Sequence, residues 1–278
     1  MTGSRLLILV GIALLLSFVA DAQIVGDVDE SKLYAESKQL NQFLRRFNGE
    51  EDEKGKRFYP GDKQYRNIKL RKKYFTILFD GANAGMTEQL KSEFTKNVLD
   101  KSDAAVLDFH GGNWFSEVQA TFAFNGKDQT FTLFMEIEKD HLGYKWVISK
   151  VYADALKPYF VRDTTRIGRF IHPMSHELDF MNLRKAFANS DSASQFTVKR
   201  FIPDHLSVFL YELKKGNLVF KSVSQVKFHF FQIEGWYFEV ANFNRPGFNT
   251  GWLISNLVKL KNDSEREVMR KYLFYENR

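Results

Sequence analysis

The chain has 278 residues, room for one large domain or two of ordinary size. Hydrophobic residues supply 44% and charged residues 27%, which excludes a disordered or collagen-like chain. The count of cysteines is 0, so disulfide frameworks, thiol catalysis and thiolate metal sites are excluded too. Phe is abundant at 28 copies, and that many rings need a core or a lined cavity to hold them. The net charge of +6 is spread along the chain without a nucleic-acid recognition motif, so nucleic acid is not an expected partner.

Arg5, the apolar run Leu6–Val19 and the small-x-small step Ala20-Asp21-Ala22 predict an export signal over 1–22. The run falls short of the ~20 residues a membrane span needs, and no later stretch reaches that length. The mature chain is therefore expected to be an exported soluble protein of the periplasm or cell surface, with no transmembrane segment after cleavage.

Next, Leu33, Leu40, Phe43, Leu44 and Phe47 share a helical stripe that stops at Gly49. Arg66, Lys69, Arg71, Lys72 and Lys73 form the densest basic cluster, beside the apolar run Tyr74–Phe79. It reads as a solvated face, or as a patch that meets an anionic envelope polymer or lipid head group. A second helix is predicted from its N-cap Thr87 to Leu99. Phe115–Phe124 alternates up to the turn Asn125-Gly126, and the return strand Lys127–Glu138 puts Phe131, Leu133, Met135 and Ile137 on one face. Tyr144–Val151 completes three antiparallel strands.

The same order then returns. Leu178, Met181, Leu183 and Phe187 match the first helical stripe, and a helix from Pro203-Asp204 to Gly216 matches the second. Lys221–Ile233 turns at Glu234-Gly235 into Trp236–Phe243, and Thr250–Leu257 closes the set with the Trp-aliphatic-Ile-Ser core of the earlier strand. Each half reads helix, short strand, helix, three strands, which predicts an internal duplication with a boundary near residue 165. Phe160, Phe170 and Ile171 would pack at that boundary. Trp146 with Ile148, and Trp252 with Ile254, are expected to face the helices of their own halves. Ser264–Tyr275 reads as a charged helix that docks through Val268, Leu273 and Phe274.

Helices followed by a curved antiparallel sheet closing on Trp-x-Ile resemble the nuclear transport factor 2-like fold, an α+β cone. The likeness is clearest over 115–153 and points towards exported bacterial proteins with two such domains in tandem. It implies a signal peptide at 1–22, domains at 27–160 and 168–262, and a helical tail at 263–278. The superfamily holds enzymes and binding modules alike, and no catalytic signature of it maps onto this chain.

Candidate chemistry is sparse. His172 and His176 have metal-ligand spacing beside Glu177, but Pro173 between them breaks the shared helical face, so no metal or cofactor is expected. Asp108 and His110, in a loop with Gly111-Gly112, are the weak candidates for an acid–base pair at the mouth of a first-domain cavity. Glu136, Glu138 and Glu239 alternate with apolar residues and read as the wet side of a sheet. Trp114, Phe231, Tyr237 and Phe243 are candidates for docking a partner protein or a small apolar ligand, because alternation sets some rings away from the helix-covered face. The expected function is that of an exported, non-catalytic binding or assembly protein. The alternative is a small-molecule isomerase, dehydratase or hydrolase.

Overall fold

In a computed structural model of the chain, residues 39–100, 104–141, 143–160, 196–198, 203–246 and 249–276 are described. The export signal, the His172 and His176 pair, the Leu178–Phe187 stripe and the boundary near residue 165 lie outside them. Three helices come first: α1 (Leu40–Asn48), α2 (Ile68–Phe75) and α3 (Glu88–Val98). Gly49 ends α1 in the left-handed conformation at φ +72, and a β-carbon there would lie 2.7 Å from Cγ of Arg71. Gly49→Ala should therefore cost about 1–3 kcal/mol, from left-handed strain plus the clash. Urea denaturation checks this, and an unchanged midpoint would count against the close approach.

Asn67 caps α2 by accepting from the amides of Lys69 and Leu70. Between α1 and α3 the expected short strand is replaced by this helix and two isolated bridges, Glu51 to Arg57 and Phe79 to Ile254. The side chain of Arg71 points inward from α2 and is fully buried. Its Nε donates to the carbonyl of Phe47 at 2.9 Å, and its Nη2 donates to the carbonyl of Ala105. Burial first, then the nearby Arg66 charge, lowers its pKa to about 10. Arg71 thus holds α2 to α1 and contributes nothing to a basic surface. Arg66 pairs with Glu50 and Lys73 with Glu53.

The strands follow: β1 (Trp114–Phe124), β2 (Lys127–Asp140) and β3 (Gly143–Tyr152), then a 3-10 turn (Asp154–Tyr159). Asn125 and Gly126 both take positive φ, as the tight β1–β2 turn requires. Helix α4 (His205–Lys214) is capped by the Asp204 carboxylate, which accepts from Leu206 and Ser207. Then come β4 (Leu218–Phe230), β5 (Trp236–Phe243), β6 (Gly251–Lys259) and helix α5 (Asp263–Leu273). The architecture is α+β, with helices packed on an antiparallel sheet. The strands of the two expected domains do not make two sheets. They make one of six strands, ordered β3-β2-β1-β4-β5-β6.

The register carries a local two-fold relation. Ser116 pairs with Phe228, Glu117 with Lys227 and Phe115 with His229, so exchanging β1 and β4 about Ser116/Phe228 reproduces the pairing. The relation extends outward. In β3, Ser149 bulges between Ile148, opposite Met135, and Lys150, opposite Phe134. In β6, Ser255 bulges in the same way between Ile254, opposite Val240, and Asn256, opposite Glu239. Each bulged serine donates across the sheet, Ser149 to the carbonyl of Phe134 at 3.3 Å and Ser255 to that of Glu239 at 3.2 Å. The shared Trp-x-Ile-Ser is thus the sequence of a β-bulge, which bends the outer strand of each half.

The helices cross over. α1, α2 and α3 pack Phe47, Phe75 and Phe94 against Trp236, Phe238 and Ile254 of the second half. α4 packs Phe209 against Phe122, Phe131 and Leu133 of the first. The expectation that each tryptophan faces its own half's helices is corrected accordingly. Trp146 is 41% exposed, resting on Trp114 at 5.5 Å. Trp252 lies 5.0 Å from Phe228, and Trp146 lies 6.4 Å from that same Phe228 ring. Outer strands at opposite edges of the sheet therefore bring their tryptophans together over the two-fold centre, so the sheet curls strongly around its helix-covered face. Trp146→Ala consequently loses less than a fully buried aromatic would.

Candidate functional site

Alternation leaves a second face, opposite α1–α4, which carries Phe115, Glu117, Phe134, Lys227, His229, Tyr237 and Glu239. α5 lies across it. Asn262 caps this helix by accepting from the Glu265 amide, and Glu265 accepts in return from the amide of Lys261. Near its start, Arg266 donates to the carbonyl of Phe231 at 3.2 Å. Beyond its end, Phe274 stacks on Phe115 at 4.5 Å, and Tyr275 stacks on Tyr152 at 4.5 Å. Leu273 and Phe274 dock as expected, whereas Val268 stays exposed. The helix is held at both ends, and a cleft of about 700 Å³ remains between its middle and the sheet.

The floor of the cleft is a chain of three buried polar groups. His229 places Nε2 3.0 Å from a Glu117 carboxylate oxygen and Nδ1 2.9 Å from the Tyr237 hydroxyl. The hydroxyl of Tyr275 reaches the other Glu117 oxygen at 3.5 Å. Burial pushes the Glu117 carboxyl up, but the His229 hydrogen bond and charge and the Lys227 charge outweigh it, leaving its pKa below the ordinary value. Burial first, then the Glu239 and Glu117 carboxylates, drives the Tyr237 pKa well above its ordinary value, so the phenol stays neutral. Alongside, Lys227 pairs with Glu239 at 3.2 Å, and Ser255 donates to the other Glu239 oxygen at 2.7 Å. Val258, Leu260, Met269, Tyr272 and Leu273 form the less polar walls. Glu239, expected on a wet face, is instead part of this lining.

Of the residues singled out in the sequence, Tyr237 lies on the cleft floor. Phe231 is buried beside it, with the Arg266 guanidinium 5.7 Å above its ring. Trp114 belongs to the opposite, helix-covered face, stacked on Phe230 at 5.2 Å. Phe243 is partly exposed under the Arg245 guanidinium at 4.7 Å. The four do not meet on one surface. Asp108 and His110 are both exposed. The Asp108 carboxylate accepts from the backbone amide of His110 at 2.9 Å, while the His110 ring lies on Tyr144 at 4.1 Å. They close a turn, and the carboxylate and imidazole that do meet are Glu117 and His229.

Glu117 and His229 escape a reading of the sequence because they sit on different strands, brought side by side only by the β1–β4 pairing. The one local signal is a histidine between two core aromatics, Phe228-His229-Phe230, at a position where alternation calls for an outward residue. Among the described residues no cluster of three or more His, Asp or Glu could hold a metal ion, and no helix is long and apolar enough to cross a membrane. Comparison of the chain with known protein families, curated proteins and solved structures found no match.

Proposed function

We propose that this is an exported binding protein, built from a duplicated unit of the nuclear transport factor 2-like kind, and that it seats a small ligand under α5. The observation that carries the reading is the cleft itself. Its volume of about 700 Å³ falls in the range that small-molecule sites occupy. A few buried polar groups on its floor and apolar residues in its wall match the make-up of such sites. An interface with a partner protein needs a broad apolar surface, whereas Trp114, Phe231, Tyr237 and Phe243 are dispersed and mostly buried. An anionic envelope component would have to rely on Lys69, Lys72 and the ion-paired Arg66 and Lys73, since Arg71 is withdrawn into the interior.

The reading is tested with N-phenyl-1-naphthylamine, an uncharged dye that brightens in apolar pockets. The full chain should take up about one dye per molecule. Met269→Trp, which puts an indole into the cleft from α5, should reduce dye affinity at least about ten-fold, a loss of roughly 1.4 kcal/mol. Undiminished binding in that variant would place the dye elsewhere and remove the support for this seat. The enzyme reading gains one observation, the joined Glu117–His229–Tyr237 chain, which has the groups that acid–base chemistry uses. Mass spectrometry of a ligand before and after incubation separates the two readings, because binding alone returns it unchanged.

A further inference from the structure

The two-fold relation of the sheet shows what the cleft would be if both halves had been treated alike. Residue pairing places Phe115 in the first half where Lys227 stands in the second, and Phe134 where Glu239 stands. In the first half these positions are closed by aromatic packing, with the Phe274 ring 4.5 Å from Phe115 and 5.0 Å from Phe134. In the second half the equivalent positions carry opposite charges and line open space. One copy of the surface is plugged, and the other is kept hollow and polar.

The basic groups in that hollow are already matched. Glu117 faces His229, Glu239 faces Lys227, and Lys259 pairs with Glu93 outside the lining. The Glu265 carboxylate accepts from the Lys261 amide in the first turn of α5. A bound carboxylate or phosphate would enter among three carboxylates with no ammonium left to meet it. A bound ammonium is a different case, because the Glu265 carboxylate is met only by that amide and is open to pair with it. The anion would give up its hydration without compensation, a cost that excludes most buried charges. The Asn256 amide nitrogen is left to meet an uncharged head group, its oxygen accepting from the Leu257 amide, while the Gln119 amide and the Tyr237 hydroxyl are already bonded to Glu117 and His229. Val258, Leu260, Met269 and Leu273 supply cover for an apolar body.

We infer that the cleft is selective for an uncharged amphiphile, an apolar chain or ring system with an alcohol, ester or ketone head, and rejects fatty acids. The inference rests on the reading of the cleft as a ligand seat and adds the class of ligand. Two probes of equal chain length test it by displacement of N-phenyl-1-naphthylamine at pH 7.5, namely 1-dodecanol and dodecanoate. The alcohol should compete at least about ten-fold better than the carboxylate. Glu239→Gln, which leaves Lys227 without its carboxylate, should improve dodecanoate relative to 1-dodecanol at least about ten-fold.

A wild-type protein that takes dodecanoate as well as the alcohol would overturn the inference while leaving the seat intact. So would a folded Glu239→Gln variant, with an unchanged circular dichroism spectrum, that still rejects dodecanoate. If the dye fails to bind or Met269→Trp leaves it bound, the ligand seat falls, and the selectivity falls with it.

Discussion

Phe94→Ala should destabilise the protein by about 3–5 kcal/mol and loosen the second half of the sheet more than the first. Phe94 is fully buried on α3. Its ring meets Trp236 at 5.2 Å and Phe238 at 5.5 Å, both from β5. Phe47, Phe75 and Phe79 surround it at 6.3, 6.0 and 6.1 Å. Truncation removes edge-on ring contacts as well as buried area and leaves a cavity that these rigid neighbours fill poorly. Native-state hydrogen exchange would then show early loss of protection in β5 and β6, ahead of β2 and β3. Phe209→Ala should give the converse pattern, since Phe209 lies 5.4 Å from Phe122 and 5.7 Å from Phe131. If each truncation instead loosened the half of the chain that contains it, the crossed packing of helices and strands would be wrong.

That crossing explains what the sequence made legible and what it left hidden. Helix ends were readable because caps are local: Thr87, Asp204 and Gly49 each act through amides or carbonyls only a few residues away. Strand faces were readable because alternation is local, and Phe131, Leu133, Met135 and Ile137 do share one face through their pairing with β1 and β3. The Trp-x-Ile-Ser recurrence was visible, though its cause, a serine bulge held by a cross-strand hydrogen bond, was not. Which helix covers which strand is a long-range choice with no local signature, and so Trp146 was given more burial than it has.

The site was hidden for the same reason. Tyr237 stood out as an aromatic on the less expected face, but its partners come from a strand more than a hundred residues earlier and from a neighbouring hairpin position. Composition points to Asp108 and His110 because they are close in sequence. A loop that satisfies an aspartate with the next amide but one consumes the carboxylate in local structure instead. Arg71 gave the opposite error. Within a run of basic residues it looks like surface, yet its long side chain carries its charge inward to two carbonyls that helix and loop ends leave exposed.

Glu117→Leu should cost about 1–3 kcal/mol at neutral pH, the loss typical of a buried hydrogen-bonding group left without its partner. His229 is fully buried. Without the carboxylate at 3.0 Å it keeps only the Tyr237 hydroxyl as a partner. Removing the whole polar chain should be far milder, because Glu117→Leu with His229→Leu and Tyr237→Phe leaves none of the three groups orphaned, and Phe115 and Phe134 lie close by to extend the apolar surface. The effect depends on pH with a definite sign. The Glu117 pKa is lower in the folded protein than in the unfolded chain, so its contribution is full above the unfolded value of about 4.3 and fades as pH falls through the folded one. Urea denaturation at pH 7 and pH 3 should therefore show the gap between wild type and Glu117→Leu narrowing in acid. An equal gap at both pH values would mean that the ionised carboxylate is not what Glu117 contributes. A triple variant as unstable as the single one would mean that the loss does not come from orphaned polar groups of this chain.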